Sequence, residues 1–151
     1  MSDLFFSQFS GGSTNAYKYL EIFNPTSETK YLDNYAYPAV NRAPTTQGVY
    51  EYWNTFESGA TIGPGEVYVI CHPSASADIQ AEADETFQYL SSGDDGRKLV
   101  KIISGSDNFE YGAVEGVDFE VIDCLGDWQG DPGNGWDVAG ETEATYYNTL
   151  V

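Results

Sequence analysis

Short runs rich in Tyr, Phe, Val and Ile, separated by turn residues, predict an all-β chain. The expected form is an immunoglobulin-like β-sandwich of about eight or nine strands, with one short helix near residues 74–84. Three observations carry this. Aromatic residues make up 15% of the chain, chiefly 12 Tyr and 8 Phe, which suit the half-buried surface of a sheet. The 16 Gly and 6 Pro supply turns at short intervals. Residues 17–26 alternate: Leu20 and Ile22 point to one face, and Tyr19, Glu21 and Phe23 to the other. Asn24-Pro25 then ends the run, because Pro has a fixed φ and no N–H for a ladder. A chain of 151 residues suits a single domain, 1–151, with a core large enough to need no covalent staple.

Taken in order, residues 4–9 form a first strand, and the Gly- and Ser-rich stretch 10–15 a turn into the strand just described. Residues 31–37 read as a third strand with Tyr35 in the core, so that the strands before and after 17–26 pair around it as a meander. Residues 38–47 form a loop and 48–54 an imperfectly alternating strand. Gly63-Pro64-Gly65 turns into residues 66–71, which are apolar on both faces and therefore central. Residues 74–84 carry Ala and Glu behind Ser74 or Ser76 as caps; a helix this short must pack on the sandwich. Strands follow at 86–90 and 98–103, joined by the turn 91–96. Residues 107–116 are a loop or hairpin arm, 118–125 a strand and 126–140 a long turn-rich loop, and 145–151 close the chain as a last strand.

The net charge is −18, from 24 acidic and 6 basic residues. Phosphate backbones and anionic membranes would be repelled, so neither a nucleic-acid partner nor membrane insertion is expected. Such a surface suits plain solubility, high salt, or divalent cations that bridge carboxylates. No run approaches the ~20 apolar residues of a membrane span. The first residues lack a basic signal-peptide region, strand-like sequence begins almost at once, and the end is apolar; the chain reads as an excised module or a very compact protein.

Several motifs then occur in a specific order. They are Leu4-Phe5-Phe6-Ser7, Leu20 to Thr26 with its Asn24-Pro25, Pro64 to Ile70, and Gly93-Asp94-Asp95 with Leu99-Val100-Lys101. Val121-Ile122-Asp123 and the Asp131 to Asp137 segment with its Gly133-Asn134-Gly135-Trp136 core complete the series. Together, over essentially the whole chain, they resemble the lamin-tail domain in its microbial and algal extracellular form. The resemblance implies an immunoglobulin-like sandwich and a non-catalytic interaction or structural module of a secreted, cell-surface or particle-surface protein. It implies a protein partner, or the module's own parent chain or assembly. The alternatives are an accessory substrate- or surface-binding domain of a secreted nuclease- or phosphatase-type hydrolase, and a calcium- or carbohydrate-dependent adhesion module. No coiled-coil heptads are present, so a lamin filament is excluded, and the basic surfaces of some lamin tails are missing.

Catalytic signals are sparse. The single His72 follows Cys71, and on a strand the two side chains point to opposite faces, so they make no nucleophile–base pair. Cys71 and Cys124 each end an apolar strand; the chain's size favours two buried free thiols over a disulfide. Carboxylates are abundant. Asp94 and Asp95 lie in a Gly-flanked turn, and Asp127, Asp131 and Asp137 in the Gly-rich loop; these are the calcium candidates, set against ordinary turn chemistry. Trp128 and Trp136, with Asp127 and Asp131, are the candidate binding residues, since exposed loop aromatics stack on sugars or anchor partners. Both tryptophans are equally able to fold inward and pin the long loop, Trp136 above all. Glycoside chemistry needs two carboxylates facing across a cleft, and no cleft is predicted. No cofactor is required by this reading.

Overall fold

The computed structural model describes residues 3–104, 109 and 112–151. Within them the chain is all-β and sandwich-like, with eleven strands and one α-helix. β1 (Phe5–Ser10) and β2 (Tyr19–Phe23) form the antiparallel pair that the alternation of residues 17–26 predicts. Leu20 and Ile22 are fully buried, whereas Tyr19, Glu21 and Phe23 are half-buried, so the side-chain period of two is expressed as read. A five-stranded sheet runs in the order β11 (Thr149–Leu150), β1, β2, β7 (Val67–Cys71), β8 (Glu85–Thr86). β7 is flanked on both sides, as its two-faced apolar sequence requires; its pairing with β8 is parallel.

The second sheet has four strands: β10 (Phe119–Leu125), β9 (Gly96–Ile102), β4 (Tyr35–Ala36) and β5 (Ala39–Val40), with β9 central. Between the sheets lie Ile22, Tyr68 and Ile70 from the first and Tyr35 and Leu99 from the second, joined by Leu4, Leu32, Tyr37 and Ile62. The outer face of β9 is also covered. Val100 packs there with Val40, Tyr50, Phe119 and Trp128, with Trp53 against them. Adjacent residues Leu99 and Val100 thus serve two different cores, the consequence of alternation in a strand buried on both faces.

The expected meander is corrected. Residues 31–37 are not one strand: Lys30–Tyr31 is β3, paired with β6 (Thr61–Ile62), and a 3-10 turn at Leu32–Asn34 precedes β4, which joins β9. Leu32 is fully buried in that turn, and dropping it into the core carries the chain across to the second sheet. The second neighbour of β2 is therefore β7. Residues 48–54 make only an isolated bridge from Tyr52 to Ala39; the segment is a loop that lowers Tyr50 and Trp53 onto Phe119. Of the strand expected at 86–90 only Thr86 is in one, at the end of β8, and the strand expected at 145–151 shrinks to β11. The helix α1 (Ala77–Glu82) falls inside the predicted range, but Ser76 occupies the N-cap position without a side-chain cap bond, and only Ile79 is half-buried. Of the expected 107–116 arm, positions 107, 108, 110 and 111 lie outside the described residues.

Candidate functional site

An open cleft of about 730 Å³ has walls built from two segments, residues 39–54 and residues 87–97, together with Lys18. Local sequence explains the second wall. The Gly93-Asp94-Asp95-Gly96 turn is wedged beneath the C-terminal loops, where a Cβ on Gly93 would strike the Thr145 carbonyl and one on Gly96 the Asp127 carbonyl. The Thr145 hydroxyl donates to the Gly93 carbonyl at 2.6 Å, and the Trp136 indole N–H to the Asp95 carbonyl at 3.1 Å. The turn is thereby held rigidly, and the side chains of Asp94 and Asp95 remain at the cleft.

Arg97, the first residue after that turn, forms the floor and is only 3% exposed. Its guanidinium stands 5.7 Å from the ring centroids of both Tyr37 and Phe87, within cation–π range. Nη2 lies 3.9 Å from Asp95 Oδ2, an ion pair too long for a hydrogen bond. Nη1 is buried and meets no acceptor among the described residues. Burial pushes the Arg97 pKa down, opposed by Asp95; burial likewise pushes the Asp95 carboxyl up, opposed by Arg97. Beside them Arg42 Nε pairs with Asp94 Oδ2 as an ion pair at 3.2 Å, and the Arg42 backbone N–H donates to Asp95 Oδ1 at 3.4 Å. Both arginines of the chain are gathered here.

The rim is aromatic. Tyr52 is 54% and Tyr89 69% exposed, one from each segment, and Tyr89 packs edge-on against Phe87 at 5.7 Å. Asn41 and Asn54 line the cleft from the first segment and Ser91 and Ser92 from the second. The cleft's two carboxylates are neighbours on one wall, and Asp94 is held by Arg42, so they do not face each other across the opening.

The structure brings Asp94 and Asp95 into this cleft and leaves the other candidates outside it. Trp128 is corrected: at 2% exposed it is a core residue, donating from Nε1 to the Gly96 carbonyl at 3.3 Å, with Lys98 Nζ 4.1 Å over its ring. Trp136 is half-buried and pins the loop. Asp127 and Asp131 accept backbone N–H groups of their own loop, from Gln129 at 2.7 Å and Gly133 at 2.8 Å, and Asp137 accepts from Glu143, just beyond it, at 2.9 Å. Among the described residues no three His, Cys, Asp or Glu side chains come together as a metal site. His72 is buried, its Nδ1 accepting from the Ser74 N–H at 2.9 Å. Both cysteines are free; Cys71 is buried as expected, but Cys124 is exposed, because it lies on the outward side of β10. Tyr52, Tyr89, Asn54, Lys18 and Arg97 were not singled out by sequence; the one available signal was the concentration of scarce cations around a single turn. No protein-family model matches this chain, and no curated protein is significantly similar to it. Among the described residues no helix is long and apolar enough to cross a membrane.

Proposed function

We propose that this chain is a non-catalytic recognition module of the lamin-tail type, carried by a secreted, cell-surface or particle-surface assembly, and that it holds its target in the Tyr52–Tyr89 cleft. The all-β sandwich-like architecture agrees with the fold that the motif order implies. The observation that carries the reading is the cleft itself. Its exposed aromatic rim and polar walls are the make-up of a binding site, while its serine hydroxyls, at Ser91 and Ser92, stand beside no imidazole or thiol in the lining. The charge of −18 supports a target other than nucleic acid or an anionic membrane.

The test pairs turnover with retention. The purified chain is incubated with p-nitrophenyl phosphate, DNA and p-nitrophenyl glycosides, and separately with insoluble cell-wall polysaccharide and with surface-layer protein. The expected result is no turnover, together with saturable retention that the Tyr52→Ala/Tyr89→Ala chain loses at an unchanged melting temperature. Turnover that disappears in Asp95→Asn would overturn the non-catalytic reading. Equal retention by the double variant would remove the cleft from it.

A further inference from the structure

We propose that the cleft is a saccharide site, built for a neutral oligosaccharide whose ring faces stack on Tyr52 and Tyr89 and whose oxygens meet Arg97. This rests on the recognition-module reading and names its ligand. Four observations on the cleft converge. Its volume of about 730 Å³ falls in the range of small-ligand sites and leaves room for more than one sugar ring. Arg97 is buried, yet Nη1 has no acceptor among the described residues, and its ion pair with Asp95 at 3.9 Å leaves Nη2 without a close one. Nη1 is sealed from solvent, so the group left to meet an incoming oxygen is Nη2, whose 3.9 Å ion pair leaves its N–H groups unspent.

The charge balance decides what kind of oxygen. Arg97 already faces Asp95, and Arg42 already faces Asp94, so the floor carries paired charges. Around it the chain as a whole is at −18, which repels anions on approach. A neutral acceptor, a hydroxyl or ring oxygen, satisfies Arg97 without adding charge. The walls match such a ligand: Asn54 and Ser92 each offer a donor and an acceptor, and Asp94 and Asp95 accept from hydroxyls, the alternation that a polyol presents. The rim supplies the apolar half. Tyr52 and Tyr89 both line the cleft and stand more than half exposed, as Tyr17 and Tyr31 do elsewhere on the surface, whereas Tyr35, Tyr37, Tyr50 and Tyr68 are buried. The electron-rich face of a tyrosine ring suits the polarised C–H face of a sugar, and its hydroxyl stays in water.

The experiment is calorimetric titration with defined cello-, xylo-, manno- and chito-oligosaccharides, alongside uronate oligomers and a surface-layer protein. The wild-type chain is expected to bind at least one neutral series and to leave it chemically intact. Tyr89→Ala, at an exposed position that should not disturb folding, should weaken that binding about tenfold, the loss of one aromatic stacking contact. Arg97→Lys keeps the charge and removes the planar fork; it should weaken binding by a comparable factor. Should Arg97→Lys fail to fold, Tyr52→Ala provides the second test, with the same expected direction. Absence of binding to every neutral series, binding to uronates alone, or affinity unchanged in both Tyr52→Ala and Tyr89→Ala would overturn the saccharide assignment. Tyr89-dependent binding of the surface-layer protein without any sugar would overturn it while leaving the recognition module standing; cleavage of the oligosaccharide would overturn both.

Discussion

Replacing Asn24 with Ala removes a side chain that ties three segments together. Asn24 follows β2 and is fully buried. Its Nδ2 donates to the carbonyls of Glu28 at 2.8 Å, Ile62 at 2.9 Å and Gly63 at 3.1 Å, the last two at the turn before β7. Its Oδ1 accepts from the Thr26 backbone N–H at 3.0 Å and from the Thr26 hydroxyl at 2.7 Å. Two amide hydrogens and one amide oxygen make four full hydrogen bonds, and at about 1 kcal/mol net each the loss is about 4 kcal/mol. Thr26 is partly exposed and Glu28 exposed, so their groups can turn to water, which brings the expected cost down to about 3 kcal/mol. With a urea slope of about 2 kcal/mol per M, the unfolding midpoint should fall by about 1.5 M at unchanged slope. Asn24→Asp should cost at least as much, since an oxygen then faces the Ile62 and Gly63 carbonyls in place of a donor. A midpoint shift below about 0.5 M for Asn24→Ala, or a wild-type midpoint for Asn24→Asp at neutral pH, would refute the reasoning.

Three further outcomes are expected. Calcium should leave the melting temperature where EDTA leaves it, because among the described residues no three carboxylates come together to share a cation; a site at a hundredfold excess of calcium over its dissociation constant would instead add about 2.7 kcal/mol, an easily read shift. Burial, aided by bonds to Asp3 and Glu85, pushes the pKa values of Tyr35, Tyr37 and Tyr68 well above the ordinary tyrosine range. The unfolded chain therefore loses these protons first: the stabilisation is fully present below about pH 10 and is lost as pH rises above it, and urea midpoints across that range should fall less steeply in Tyr68→Phe. Ellman's reagent should titrate one thiol in the native protein, Cys124, and both in denaturant; rapid labelling of Cys71 in the native state would contradict its complete burial.

Local chemistry was enough to establish the β class and its main strands. β2, β7, β9 and β10 lie close to where alternation or two-faced apolarity put them, because side-chain period and burial are properties of a few consecutive residues. The stop at Asn24-Pro25 and the position of α1 were legible for the same reason. Pairing was not. Alternation says which face of a strand is buried but not which distant strand covers it, so the break at Leu32 and the joining of β4 to β9 depended on which core accepted Leu32. Nor does a Gly-rich loop have a period: only packing against Gly96 and Val100 decided that Trp128 turns inward, while Trp136 anchors the loop to the Asp95 carbonyl. The cleft is the extreme case. Of the sequence candidates only Asp94 and Asp95 reach it, and its other members come from residues 18, 39–54 and 87–97, segments without a shared motif. Sequence determined that an acidic β-domain would form; the tertiary structure decided that two exposed tyrosines and a buried arginine would meet, because long-range packing alone brings such segments to one place.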